Sequence, residues 1–112
     1  IKKEDGLLDF NASAGKIVNF VRGMTPWPGA YCFLEGERFK IGKAEESGLE
    51  RPAGAVKGQV LAADVKNGLV VAAAEGAVRL SRIQFSGQRM MDDIEYLRGH
   101  RLETGAVLNS GR

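Results

Sequence analysis

The side chains that could act as acid, base or nucleophile do not form a catalytic set in this sequence. His100, the only histidine, follows Gly99 and has arginines but no nucleophile beside it. Acid–base catalysis requires a partner within hydrogen-bond reach, so a surface or helix-capping histidine is expected. Asp92 and Asp93 are adjacent, and neighbouring helical side chains diverge by about 100°. They are therefore expected to cap a helix rather than to act as a catalytic pair.

Other kinds of chemistry also find little support. Cys32 is the only cysteine and lies in an aromatic stretch, so it is expected to pack in the core. It has no second thiol or clustered histidines with which to form a disulfide or hold a metal, which is typical of a protein of the reducing cytoplasm. No glycine-rich loop with a lysine follows a strand and opens a helix. The sequence thus favours a binding function, with no catalytic, cofactor-binding or metal-ligating residues.

Basic side chains are the better candidates for function. The net charge is only +2, and Lys and Arg outnumber the acidic residues in the second half of the chain. A local basic face binds phosphate groups without an extreme overall charge, whereas a solvated surface of mixed charge is the alternative. The candidates on the first helix, on the strands and before the last helix are Lys16, Arg22, Lys40, Lys43, Arg79, Arg82 and Arg89.

An apolar stripe at three- and four-residue spacing predicts a helix that begins after Asn11 or Ser13 and runs to about Met24. The helix cannot pass Pro26, because proline removes a backbone donor and restricts the residue before it. Trp27 then lies between two prolines. It is expected to be buried and to close the core, with base stacking as the alternative.

Alternating apolar residues predict strands further along the chain. A first hairpin is predicted over 31–44, with Phe39 and Ile41 facing inward and Lys40 outward, and a second over 58–73 around an Asn-Gly turn. A bulge near Ser81 is expected in the next strand, because the apolar residues change parity there. Residues 45–54 predict an exposed, mobile loop.

The last part of the chain predicts a short helix and an edge strand. Asp92 and Glu95 have the spacing of a capping box, Ile94 and Leu97 are expected to face inward, and Gly99 ends the helix. Residues 106–108 are expected to pair at a sheet edge. Five or so strands joined by tight turns need closure or cover. The sequence therefore predicts a mainly β fold: a small, open antiparallel barrel of five to six strands, with one N-terminal helix and one short C-terminal helix.

Several motifs taken together resemble a known family. They are Arg22-Gly23 followed three residues later by Pro26-Trp27-Pro28-Gly29-Ala30, then Leu80-Ser81-Arg82-Ile83-Gln84, and Gly87-Gln88-Arg89-Met90-Met91. Their spacing resembles the carboxy-terminal domain of the methionyl-tRNA formyltransferases over nearly the whole chain. Similar domains occur in formyltransferases that act on nucleotide sugars, which is one alternative. A purely structural barrel is another.

The resemblance implies a barrel similar to the oligonucleotide-binding fold over residues 11–112, with residues 1–10 as a linker to an amino-terminal catalytic domain. It also implies that the parent enzyme transfers a formyl group from 10-formyltetrahydrofolate to initiator methionyl-tRNA, and that this domain binds no cofactor. The partners would be the tRNA and the catalytic domain. Lys2 and Lys3 lie in the implied linker and join the candidate phosphate contacts. A cytoplasmic monomer without membrane contact is expected.

Overall fold

In the computed structural model, residues 2–111 form a six-stranded antiparallel sheet with two helices. The elements in chain order are a 3-10 turn Lys3–Gly6, α1 Ala14–Met24, β1 Ala30–Leu34, β2 Glu37–Ser47, β3 Val60–Asp64, β4 Gly68–Ala72, β5 Ala77–Phe85, β6 Met91–Asp92 and α2 Asp93–Gly99. The strand order is β1-β2-β5-β4-β3, with β6 paired to β5. The predicted mainly β fold, an open antiparallel sheet with one N-terminal and one short C-terminal helix, is confirmed.

The C-terminal segment lies between the two edge strands of this open sheet. Phe33 of β1 and Asn109 exchange two backbone hydrogen bonds of 2.9 Å, and the amide of Val60 in β3 donates to the carbonyl of Ala106 at 2.7 Å. The edge pairing predicted for residues 106–108 is therefore present as isolated bridges rather than as a strand. These bridges cover backbone groups that an open sheet would otherwise expose.

Helix α1 has the predicted extent. The Ser13 hydroxyl caps it by accepting a hydrogen bond from the amide of Lys16 at 3.3 Å. Ile17 and Val21 are buried, while Lys16 lies on the exposed side, as the spacing predicts. The helix has 11 residues, and within residues 2–111 no helix is long and apolar enough to cross a membrane.

Strands β2 and β5 pair over most of their length and carry two bulges. Ser81 of β5 has no partner on β2, which confirms the bulge predicted there, and Gly42 is skipped on β2 itself. A Cβ at Gly42 would lie 3.0 Å from the Met90 sulfur, so a larger residue there requires the Met90 side chain to shift. The bulges preserve burial of apolar side chains on both sides of the irregularity.

The predicted hairpin between β3 and β4 is confirmed. Gly68 adopts a φ of +77° at its end. The Asp64 carboxylate accepts hydrogen bonds from the amides of Lys66 at 3.0 Å and Asn67 at 2.7 Å. The hydrogen bonds from Asn67 contribute most to lowering the pKa of Asp64.

The loop predicted for residues 45–54 begins later than expected. β2 continues to Ser47, because Glu45 lies opposite Arg79 of β5 and the ladder extends beyond it. After the strand, the Arg51 guanidinium donates to the carbonyls of Ala55 at 2.8 Å and Ala74 at 3.0 Å. The assignment of residues 45–47 to a loop was wrong, because their charged side chains belong to a paired strand.

The capping box predicted at the start of α2 is not formed. Asp92 precedes the helix as its cap residue, but its side chain makes no capping hydrogen bond. Its carboxylate instead accepts a hydrogen bond of 2.8 Å from Arg82, and Glu95 pairs with Arg89. Both carboxylates therefore pair with arginines, Asp92 with Arg82 on the neighbouring strand and Glu95 with Arg89 in the preceding loop, instead of capping the helix.

The inward side of α2 is also offset from the prediction. Asp93 and Tyr96 are the buried residues of the helix, whereas Ile94 and Leu97 are only half-buried. The carboxylate of Asp93 is bound by Arg79 from the sheet, which turns this side of the helix inward. The spacing of apolar residues predicted the helix correctly but not which of its sides faces the core.

Trp27 is not a core residue, contrary to the prediction. Its side chain is 60% exposed, while the neighbouring Pro28 is buried. A Cβ on Gly6 would collide with the carbonyl oxygen of Gly29, so the N-terminal turn packs backbone to backbone against the proline corner. This contact fills the space beneath the corner and leaves the indole at the surface.

The N-terminal segment ends inside the fold. Leu8 and Phe10 are buried in the core, and the amide of Leu8 donates to the carbonyl of Tyr31 at 2.8 Å. The role of residues 1–10 as an interdomain linker stays a prediction. Ile1 and Arg112, the outer ends of the two predicted segments, lie outside the described residues.

Candidate nucleic-acid interface

The outer side of β2 carries a row of cations. Phe39 and Ile41 point into the core, so Arg38, Lys40 and, after the bulge, Lys43 point outward and are exposed. At about 3.3 Å of rise per residue, Lys40 and Lys43 lie about 10 Å apart along the strand. A row of cations along one strand can contact several phosphate groups of a nucleic-acid backbone.

Two further cations, Arg82 of β5 and Arg22 of α1, lie near Lys43. Arg82 of β5 is its direct cross-strand partner, so their side chains begin within about 5.5 Å of each other. Arg22 and Lys43 both line a groove of about 400 Å³ between the end of α1 and β2, whose floor includes Val18 and Val21. We name Arg22, Arg38, Lys40, Lys43 and Arg82 the basic face.

Arg79, another predicted phosphate contact, is engaged within the fold. Its Nε and Nη2 donate to the two carboxylate oxygens of Asp93, each at 2.9 Å. Glu45 approaches Nη1 at 3.6 Å. The hydrogen bond with Asp93 is the largest influence raising the pKa of Arg79. Its charge is largely balanced before any ligand arrives.

Two other predicted arginines also have acidic partners, but at the surface. Arg82 pairs with Asp92 at 2.8 Å, and both side chains are well exposed. Arg89 pairs with Glu95 near the start of α2, outside the basic face. Exposed pairs contribute roughly 0 to 1 kcal/mol, so a phosphate could displace Asp92 from Arg82 at small cost.

The remaining predicted cations are Lys2, Lys3, Lys16, Arg22, Lys40 and Lys43, and none of them forms an ion pair within residues 2–111. The structure does not bring all of them together. Lys16 lies about 9 Å along the helix axis from Arg22, beside Leu7 and Leu8. Lys2 and Lys3 lie at the N-terminal turn that packs on the Gly29 corner.

Arg38 belongs to the basic face but was not among the predicted contacts. Its guanidinium carbon lies 5.0 Å from the centre of the Tyr31 ring, a cation–π arrangement on the outward side of β1 and β2. The sequence held a signal for it, because Arg38 shares the parity of Lys40 on the same strand. The aromatic neighbour became visible only with the strand register.

The side chains first considered for catalysis have structural roles. His100 is the C-cap residue of α2, and its amide donates to the Tyr96 carbonyl, so the expected capping histidine is confirmed. Its ring stacks on that of Tyr96 with centroids 4.3 Å apart. Cys32 is fully buried, as expected, and burial raises the pKa of its thiol. Within residues 2–111 no three His, Cys, Asp or Glu side chains lie where they could share a metal ion. Packing and helix capping therefore account for His100 and Cys32.

Comparison with known proteins identifies the family. Residues 1–101 match the family described as formyl transferase, C-terminal domain. The chain is 43% identical over 105 residues to a methionyl-tRNA formyltransferase of Thermodesulfovibrio yellowstonii, covering 94% of this chain and 32% of that protein. It is 40% identical over 111 residues to the methionyl-tRNA formyltransferase of Caldanaerobacter subterraneus, covering 96% of this chain and 34% of that one. The chain therefore spans about a third of the length of these relatives.

Solved structures show the same fold at lower identity. A variant of HypX from Aquifex aeolicus superposes with a TM-score of 0.67 at 18% identity, covering 88% of this chain and 18% of HypX. HypX in complex with tetrahydrofolic acid gives a TM-score of 0.65 at 17% identity, covering 93% and 21%. Together with the sequence matches, this fold shows that the chain belongs to the family of formyl transferase C-terminal domains and is homologous to that domain of the methionyl-tRNA formyltransferases.

Proposed function

We propose that this chain is the tRNA-binding domain of a methionyl-tRNA formyltransferase and that the basic face receives the phosphate backbone of initiator tRNA. The observation that carries the proposal is the convergence of α1, β2 and β5 at Lys43, which places Arg22 and Arg82 beside it. The names of the relatives support tRNA as the nucleic acid.

The chemistry proposed for this surface is positioning. Lysine and arginine contacts to phosphates fix the orientation of a nucleic acid and carry little sequence information. In the proposed enzyme, 10-formyltetrahydrofolate supplies the formyl group at an amino-terminal catalytic domain, and no residue of this chain is assigned a step in that transfer. The domain would hold the tRNA so that its aminoacyl end reaches the catalytic domain.

The test is a titration of the chain with initiator tRNA, comparing two triple variants of equal charge change. Arg22→Glu, Lys40→Glu and Lys43→Glu together reverse three cations of the basic face that form no ion pair with any residue from 2 to 111. Lys57→Glu, Lys66→Glu and Arg101→Glu together reverse three exposed cations outside α1, β1, β2 and β5. Both variants must unfold cooperatively near the temperature of the original chain.

We expect the first variant to lose at least tenfold in affinity, because three phosphate contacts become repulsive. The control should lose much less. Equal losses in both variants would show that only the net charge matters, and no loss in the first would reject the basic face. Binding of a nucleotide sugar in preference to tRNA would favour the domain of a sugar-nucleotide formyltransferase, and binding of neither would leave a structural barrel.

A further inference from the structure

The hairpin of β1 and β2 presents two aromatic rings beside the basic face. Tyr31 and Phe33 alternate with buried residues along β1 and are half-buried. Their ring centroids lie 6.0 Å apart at an interplanar angle of 82°. Their cross-strand partners are Lys40 for Tyr31 and Arg38 for Phe33. Two rings and two cations thus share one small outward surface.

This surface is positively charged without local compensation on the strands. None of the outward positions of β1, nor those of β2 from Arg38 to Lys43, carries a carboxylate. Glu37 starts β2, but it lies opposite the buried Leu34 and so has the inward parity. An anionic partner that also offers a flat π surface complements this arrangement.

The backbone edge of β1 is already occupied. The amide of Leu8 donates to the Tyr31 carbonyl, and Phe33 exchanges both of its backbone hydrogen bonds with Asn109. An extended peptide therefore has no free strand edge to pair with at this place. A ligand at this place can therefore contact only the side chains. This favours an unpaired base that stacks on them over a peptide that adds a strand to the sheet.

We propose that the β1–β2 outer surface binds one unpaired nucleotide of RNA, with its base stacked on the Arg38 guanidinium and its edge against the Phe33 ring, and with its phosphate bound by Lys40. The inference rests on the proposed function and specifies it, since it assigns part of the tRNA contact to a base that is not in a helix. Aromatic rings and arginine planes both stack splayed-out bases. Tyr31 supports Arg38 from below through the cation–π contact.

The experiment measures fluorescence anisotropy of a labelled single-stranded RNA of about six nucleotides, and of an abasic strand of equal length and charge. Phe33→Leu keeps apolar bulk but removes the ring, and Arg38→Lys keeps the charge but removes the plane. Lys40→Gln removes the phosphate contact. Trp27→Leu is the matched control, since it removes an exposed ring outside this surface.

We expect Phe33→Leu and Arg38→Lys each to weaken binding of the RNA about tenfold and to leave binding of the abasic strand unchanged. Lys40→Gln should weaken both, and Trp27→Leu neither. The proposal is overturned if Phe33→Leu and Arg38→Lys bind the RNA normally, or if they lose equally on the abasic strand. The variants can also be tested for binding to the amino-terminal part of a relative, added in trans. If Phe33→Leu and Arg38→Lys bind RNA normally but bind that protein more weakly, the rings form a protein contact instead.

The two proposals fail in different ways. If the short RNA binds through the rings but tRNA binding does not depend on Arg22 or Lys43, the proposed function alone is overturned. tRNA binding that depends on Arg22 and Lys43 but not on Phe33 or the Arg38 plane would overturn only the stacking site. Arg38→Lys lies at the surface and is expected to fold, so the outcome does not depend on the stability of Phe33→Leu.

Discussion

Asp93 is fully buried, and its two carboxylate oxygens each accept a hydrogen bond of 2.9 Å from the guanidinium of Arg79. The amide of Leu69 donates to the same carboxylate at 2.9 Å. A Cβ on Gly68 would collide with this carboxylate, so the glycine is needed for the approach as well as for its positive φ. One ion pair thus ties α2 to β4 and β5.

The first prediction concerns this ion pair. Arg79→Ala and Asp93→Ala should each lower the free energy of unfolding by about 3 kcal/mol. The first leaves the buried Asp93 carboxylate without its cation, and the second leaves the buried amide of Leu69 without its acceptor. Urea denaturation measures the change. Arg82→Ala is the control, since its partner Asp92 is exposed, and it should change stability by less than about 1 kcal/mol. Similar small effects of all three substitutions would show that the buried pair adds no more than a surface pair.

The second prediction concerns Trp27. Trp27→Ala should change the free energy of unfolding by less than about 1 kcal/mol, because the side chain is 60% exposed. A buried tryptophan would instead cost about 3 to 5 kcal/mol. Acrylamide quenching checks the exposure directly, since Trp27 is the only tryptophan. Quenching in the native chain should approach that of the unfolded chain, and strong protection would contradict the structure.

The third prediction concerns Cys32. Its thiol is inaccessible, and burial raises its pKa, so the reactive thiolate is suppressed in the native chain. Reaction with a disulfide reagent such as DTNB should therefore require unfolding and should slow as stability increases. Urea-unfolded chain provides the reference rate for a free thiol. Fast reaction under native conditions would show that β1 opens locally.

The fourth prediction concerns Tyr96. Its pKa is raised, mainly by burial and further by the negative charge of Glu37. A pKa raised in the folded state means that the stabilisation is present below the unfolded pKa of about 10 and is lost as the pH rises through the folded value. Above that unfolded pKa, the unfolding free energy of the native chain should fall more steeply with pH than that of Tyr96→Phe. Parallel curves would show that the pKa of Tyr96 is not raised in the folded chain.

Local features of the fold were predictable from the sequence. The stripe of α1, the hairpin at Gly68 and the bulge at Ser81 depend on periodicities and turn residues within a few positions. The outward direction of Lys40 follows from strand alternation alone. These patterns predict the structure well because residues within a few positions along the chain both form the pattern and determine which side of the element is buried.

Features that depend on distant contacts were not predictable. The exposure of Trp27 depends on Gly6 packing against Gly29, and the burial of Asp93 depends on Arg79 on another strand. The basic face itself required the strand order, because β5 lies between β2 and β4 and brings Arg82 next to Lys43. A single sequence does not fix that order.

The most direct test of the central claim is the salt dependence of initiator tRNA binding by the chain and by a variant that combines Arg22→Gln, Lys40→Gln and Lys43→Gln. Each phosphate contact contributes about 0.7 to 0.9 to the slope of log K against log salt concentration. If each of these three cations contacts one phosphate, the slope of the variant should be smaller in magnitude by about 2.1 to 2.7. An unchanged slope in a correctly folded variant would show that the tRNA binds elsewhere on the chain and would contradict the account.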